Sequence, residues 1–153
     1  MSAQKKASKT AKVSEGFSAA EKAAMKERAR ELKALERIGK DRAKGEEALL
    51  EVVNKLPDTE RKMCARLHTL ISSAAPDLLP RTWYGMPAYA NEDGKVVLFF
   101  QPGSKFETRY TTLGFNDSAK LDDGNMWPAS FAMVKLSAAE EARITKLVKK
   151  ATG

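Results

Sequence analysis

At 153 residues, 42% of them hydrophobic and 31% charged, the chain has room for one domain with a core and not for two. No apolar run approaches the roughly 18 residues of a membrane span, and the basic start MSAQKKASKTAKVSEG lacks the apolar stretch of a secretory signal. One cysteine, Cys64, excludes an intramolecular disulfide framework and fits a reducing compartment, so cytoplasm is the expected location.

The net charge of +7 is unevenly placed. Residues 1–44 hold 13 Lys/Arg against 6 Asp/Glu, and residues 45–153 hold 14 of each sign. The basic character therefore belongs to the N-terminal segment, which is where an anionic partner would be held.

Residues 1–16 carry almost no large apolar side chain and read as a disordered basic tail. Residues 17–44 read as a basic helical extension. Ser18 and Glu21 match the S-x-x-E capping box, Met25, Leu32, Leu35 and Ile38 form a narrow apolar stripe, and Gly39 marks a stop. The domain is expected over 45–153. GEEALLEVVNKL gives a second helix with acidic residues in its first turn, ended by Pro57. A third helix capped by Asp58 runs to about Ala75.

Ten of the eleven aromatic residues then fall between Trp83 and Phe131. TWYGMPAYA, KVVLFF, FETRYTTLGF and SFAMVKL read as four strands. Asp93-Gly94 suits a hairpin, and Pro102-Gly103 suits the centre of a type II turn. Ser137 and Glu140 repeat the capping box ahead of a C-terminal helix with apolar Ala142, Ile144, Leu147 and Val148. The segregated order predicts an α+β fold, an antiparallel sheet of about four strands with helices on one face.

Four groups of residues could carry chemistry. Cys64 and His68 share a helix face at i, i+4, but zinc needs three or four protein ligands and no other Cys or His exists, so ordinary packing is the simpler expectation. A Cys–His nucleophilic pair is formally open to them, but a helix-borne Cys with no helix N-terminus or base-orienting group in view is a poor nucleophile. Asp117, Asp122 and Asp123 offer oxygen donors for a hard cation, or simply a turn. Lys22, Lys26, Arg28, Arg30, Lys33, Arg37, Lys40, Arg42 and Lys44 could lie along phosphates, although Glu27, Glu31 and Glu36 interleave with them as in a solvated helix.

The fourth group is RTWYGMPAYA. On a single strand Trp83, Gly85, Pro87 and Tyr89 would share one face, and Tyr84, Met86, Ala88 and Ala90 the other. Gly85 and Pro87 would kink that strand and place it at an edge, leaving an aromatic-walled notch that is either a ligand site or core. No Gly-rich phosphate loop, nucleophile elbow or paired catalytic carboxylates occur, so no catalytic residue is expected.

The strings PRTWYGMPAYA, GKVVLFFQ, KFETRYTTLGF and LDDGNMWPASFAM resemble the YdhG-like family, a bacterial domain of unknown function, over roughly residues 45–150. FSAAEKAAMKERARELKA is similar to the N-terminal extension of one subgroup. The resemblance implies a frataxin-like α+β fold, and for some members an iron-chaperone role, with iron weakly held and passed to an accepting protein. Frataxins carry an acidic ridge on their first helix, whereas this first helix is basic. The oxygen donors left for iron are Glu46, Glu47 and Glu51 with Asp117, Asp122 and Asp123. Two expectations result: an iron-binding protein, and a nucleic-acid-associated one that uses its basic N-terminal segment.

Overall fold

A computed structural model describes residues 16–153; the tail expected over 1–16 lies, but for Gly16, outside the described residues. The fold is α+β. Among the described residues it has four helices and a five-stranded antiparallel sheet. The helices are α1 (Ala19–Ile38), α2 (Arg42–Asn54), α3 (Asp58–Ala74) and, after the sheet, α4 (Ala138–Thr152). The strands are β1 (Leu79–Trp83), β2 (Met86–Ala90), β3 (Val96–Gln101), β4 (Thr111–Phe115) and β5 (Ser130–Met133), and they lie side by side in chain order. No described helix is long and apolar enough to cross a membrane. Two compact units divide between Arg37 and Ile38.

α1 starts as its sequence predicts, with the Glu21 amide donating to Ser18 Oγ at 3.1 Å. Gly39, at φ 55°, ends it in the left-handed region. α2 begins three residues before the expected position. Asp41 is its N-cap and accepts from the Lys44 amide at 3.2 Å, so Glu46 and Glu47 fall after the first turn rather than in it. Arg42 consequently leaves the expected basic extension. Its guanidinium donates to the carbonyls of Pro76 and Leu78, closing the chain where α3 gives way to β1. Asp58 does not cap α3. Pro57 holds the cap position and Asp58, one residue inside, pairs with Arg61 and Lys62.

The single kinked strand expected over 83–90 is a hairpin. Trp83 pairs with Met86 across a two-residue turn, and both Tyr84 (φ 51°) and Gly85 (φ 76°) adopt positive φ. That is the type I′ geometry whose twist suits a tight hairpin. Five strands therefore replace four, and β2 is interior. Pro87 is tolerated there because its missing N–H faces β3, whose ladder with β2 begins only at Ala88.

The next turn is as expected: the Gly94 amide bonds Asn91 O at 3.0 Å, with Gly94 at φ 78°. The type II turn at Pro102-Gly103 is not formed, since Gly103 has no positive φ. Residues 102–110 make a longer loop, and β4 starts at Thr111 instead of Phe106. Gly103 is needed there for space. A Cβ on it would lie 2.6 Å from Tyr110 O and 2.8 Å from Thr108 O.

Tyr89, Leu98, Phe100, Leu113, Phe115 and Met133 of the strands join Leu49, Val53, Cys64, Leu67, Ile71, Ile144 and Val148 of the helices in one core cluster. In α4, Ile144 and Val148 are buried as expected and Ala151 joins them, whereas Ala142, expected among the apolar positions, is exposed. Ser137 stands at the N-cap of α4 but makes no cap bond to the backbone. Its hydroxyl donates instead to Glu140 Oε2 at 2.5 Å, and that bond holds the carboxyl below its usual range.

α2 meets β1 through Gly45. A Cβ at this position would lie 2.2 Å from the Pro80 carbonyl oxygen, which is backbone and cannot swing aside. Gly45→Ala is expected to lower stability by about 1–3 kcal/mol, as over-packing does, even though Ala is the better helix former. Chemical denaturation checks this, and a stabilised variant would contradict the contact.

Candidate functional site

In the N-terminal unit, α1 sorts its charges by turn. Lys22, Lys26, Arg30, Lys33 and Arg37 recur at i, i+4, i+8, i+11 and i+15, which places all five within about 80° of arc. All five are exposed, and none pairs with a carboxylate among the described residues. Of the acidic residues that interleave in the sequence, Glu31 lies well off this stripe, while Glu27 stands about 60° beyond its Arg30 edge and Glu36 about 40° beyond its Lys22 edge. Arg28 also lies off it and pairs with Glu31. The stripe runs for about 22 Å along the helix at 1.5 Å per residue. Lys40 and Lys44 are exposed beyond it, outside α1.

The second unit contains a polar chain buried in its core. Cys64 and His68 do share one face of α3, and both are buried. His68 Nε2 lies 2.9 Å from Glu46 Oε1 on α2, and Nδ1 lies 2.7 Å from the Tyr89 hydroxyl on β2. A carboxylate can only accept, so Nε2 carries a proton, and with the imidazole neutral Nδ1 accepts from Tyr89 O–H. Three elements are thereby pinned through one imidazole. Glu46 is half-exposed while Tyr89 is 1% exposed, so the chain runs from solvent into the core.

Burial, reinforced by the charge of Glu60, pushes the Cys64 thiol from 9.0 up to about 12. Burial, with the negative charges that Cys64 and Glu46 carry when ionised behind it, also raises the Tyr89 hydroxyl well above 10.0. The thiol therefore stays protonated, which removes it as a nucleophile or thiolate ligand. Both groups hold their protons more tightly folded than unfolded. Their contribution is complete below the unfolded values and is lost as pH rises toward the folded ones. Stability is expected to fall above about pH 9, by up to about 1.4 kcal/mol per pH unit for each group. Urea denaturation across that range tests it; a level profile would contradict the burial of both groups.

The hairpin redistributes the aromatic residues of RTWYGMPAYA. Trp83 shares a side of the sheet with Met86, Ala88 and Phe99, and its ring lies 5.1 Å from that of Phe99. Pro87 and Tyr89 face the opposite side, so the notch expected between Trp83 and Tyr89 does not exist. Tyr89 and Met86 are buried, and Tyr84 stands 55% exposed at the turn. The far end of the Phe99 ring lies against Gly114, where a Cβ would come within 2.3 Å of it.

The six carboxylates named for iron are not brought together as one set. Glu46 is engaged by His68; Glu47 and Glu51 are exposed on α2; Asp117, Asp122 and Asp123 are exposed after β4. Among the described residues no three His, Cys, Asp or Glu side chains form a group able to hold a metal ion.

Two shallow clefts lie on the described surface of this unit. One, of about 380 Å³, lies by the C-terminal ends of α3 and α4, with Asp77, Glu92 and Lys120 on its rim. The other, of about 350 Å³, lies between the start of α3 and the 102–110 loop, which the Glu60 carboxylate ties down by accepting from Ser104 N and Oγ. No protein-family model, curated protein or solved structure matches this chain.

The polar chain was hidden from sequence inspection. Its only trace is a lone His at a core position of α3, and neither Glu46 nor Tyr89 is marked as its partner by spacing.

Proposed function

We propose that this protein binds polyanions, with a nucleic-acid backbone as the foremost ligand, through the basic stripe of α1 and the Lys-rich sequence that precedes it. The observation that supports this reading is the stripe itself: five exposed cations on one helix face, bordered by Glu27 and Glu36 but interrupted by no acidic residue. Such a surface neutralises phosphates one by one and carries no base-reading pattern, so binding is sequence-independent and strongly salt-sensitive. The domain of residues 38–153 then serves as a folded body, with α2, α3 and α4 layered on one face of the sheet. The single core cluster shared by helices and strands supports that layering.

Iron binding, which the family resemblance implies, has no comparable observation behind it. Retention on immobilised DNA across a salt series tests the proposal. Retention that is absent at low salt, or that is insensitive to salt, would refute it.

A further inference from the structure

Summed over residues 45–153 the charges cancel, 14 against 14, yet α4 departs from that balance. It places Arg143, Lys146, Lys149 and Lys150 within about 120° of arc, and all four are exposed. That arc lies opposite the side of the helix that buries Ile144, Val148 and Ala151. No carboxylate of α4 enters it. Glu140 stands about 60° beyond the Arg143 edge and is engaged by the Ser137 hydroxyl. Glu141 stands about 80° beyond the Lys149 edge and accepts from Arg66. Asp77 and Glu92 line the cleft on the Ala151 and Thr152 side of the helix, away from the four cations. None of the four pairs with a carboxylate among the described residues. Arg143 is held in place, its guanidinium 5.3 Å from the centre of the Phe131 ring. The helix dipole accounts for Lys149 and Lys150 in the last turn, but not for Lys146, Arg143 or a face free of acid. By contrast α2 exposes Glu47 and Glu51 one turn apart.

We propose that the solvent face of α4 is a second surface for the phosphates of a nucleic acid, which rests on the polyanion reading of α1 and extends it to the folded body. Charge complementarity selects the ligand. Four cations over about 10 Å of helix meet a duplex that carries one negative charge per about 1.7 Å of its axis. No large apolar side chain shares the face to enter a bilayer, so a nucleic-acid backbone fits it better than a lipid surface does. No Asn or Gln stands there to read a base edge, so these contacts position the ligand without selecting its sequence. At about 0.9 per phosphate, the four cations add about 3.6 to the salt slope on duplex DNA.

Affinity of the full chain for duplex DNA across a salt series tests this. Lys146→Gln, Lys149→Gln and Lys150→Gln together spare Arg143 and its ring contact, and Gln forms helices nearly as well as Lys. This triple variant is expected to lower the slope of log affinity against log salt by about 2.7. A fourfold rise in salt should then weaken its binding roughly 40-fold less than it weakens the wild type. The charge-matched control replaces Lys55, Lys62 and Lys95, exposed elsewhere on the same unit, by Gln and should keep the wild-type slope. A wild type that binds with a slope the α4 triple leaves unchanged overturns the second surface and leaves the stripe on α1 standing. Equal lowering by both triples overturns it too, since bulk charge would then be read. A wild type that fails to bind at low salt overturns both surfaces.

Discussion

Replacing Lys22, Lys26, Arg30, Lys33 and Arg37 together by Gln is expected to flatten the salt dependence of DNA binding. Each cation that neutralises a phosphate contributes about 0.9 to the slope of log affinity against log salt on duplex DNA. Five such cations contribute about 4.5, so a fourfold rise in salt should weaken their share of the binding by roughly 500-fold. On single strands the per-contact value is about 0.7, giving about 3.5 in all. Gln forms helices nearly as well as Lys and Arg, so α1 should survive the replacement and circular dichroism should show it. The control is Arg28→Gln, which removes a cation of the same helix that lies off the stripe beside Glu31. That variant should keep the wild-type slope, whereas removing any single stripe cation should lower it by about 0.9. A slope that the fivefold variant leaves unchanged would move the binding off α1, and equal effects from Arg28 and from any stripe residue would mean that bulk charge, not the stripe, is read.

His68→Ala is expected to be the most destabilising single change in the core. It removes a buried imidazole and leaves the Tyr89 hydroxyl, 1% exposed, without its acceptor. Cavity and orphaned hydroxyl together should cost about 3–5 kcal/mol. Tyr89→Phe keeps the ring and strands only the Nδ1 lone pair, at about 1–3 kcal/mol. The double variant should cost less than the sum, because once the imidazole is gone the hydroxyl has nothing left to satisfy. Urea denaturation of the three variants measures the coupling. Strict additivity would mean that the 2.7 Å contact contributes nothing.

These two results would depend on very different amounts of sequence information. The stripe on α1 is legible in the chain, because a helix repeats every 3.6 residues and five cations keep that beat. Only its separation from the glutamates needed the helix to be drawn. The hairpin at Tyr84-Gly85 was not legible. Its turn needs two residues at positive φ, and tyrosine is a poor advertisement for that conformation. Read as one strand, WYGMPAYA puts Trp83 and Tyr89 together; folded as a hairpin, it sends them to opposite sides. Glu46 and Tyr89 could not have been assigned to His68 at all, since they lie 22 residues before it and 21 after it on different elements. Contacts between elements are set by tertiary packing, and single-chain periodicity carries no record of them. The α+β class survived these errors because it rests on the order and type of elements, not on their turns.

The sequential order of the five strands bears on how the chain comes to be folded. Every strand has its predecessor as neighbour, so each hairpin closes over a local connection, of two residues between β1 and β2 and of 14 between β4 and β5, before the next is made. The long-range partner is α4, whose Glu141 reaches back 75 residues to Arg66 on α3. A polypeptide leaving the ribosome could thus lay down its sheet strand upon strand and wait only for its final helix. Until that helix arrives, Leu113, Phe131 and Met133, which line the groove against α4, would stay uncovered. Protection of the nascent chain is therefore needed longest at β4 and β5, whose apolar side chains wait for α4.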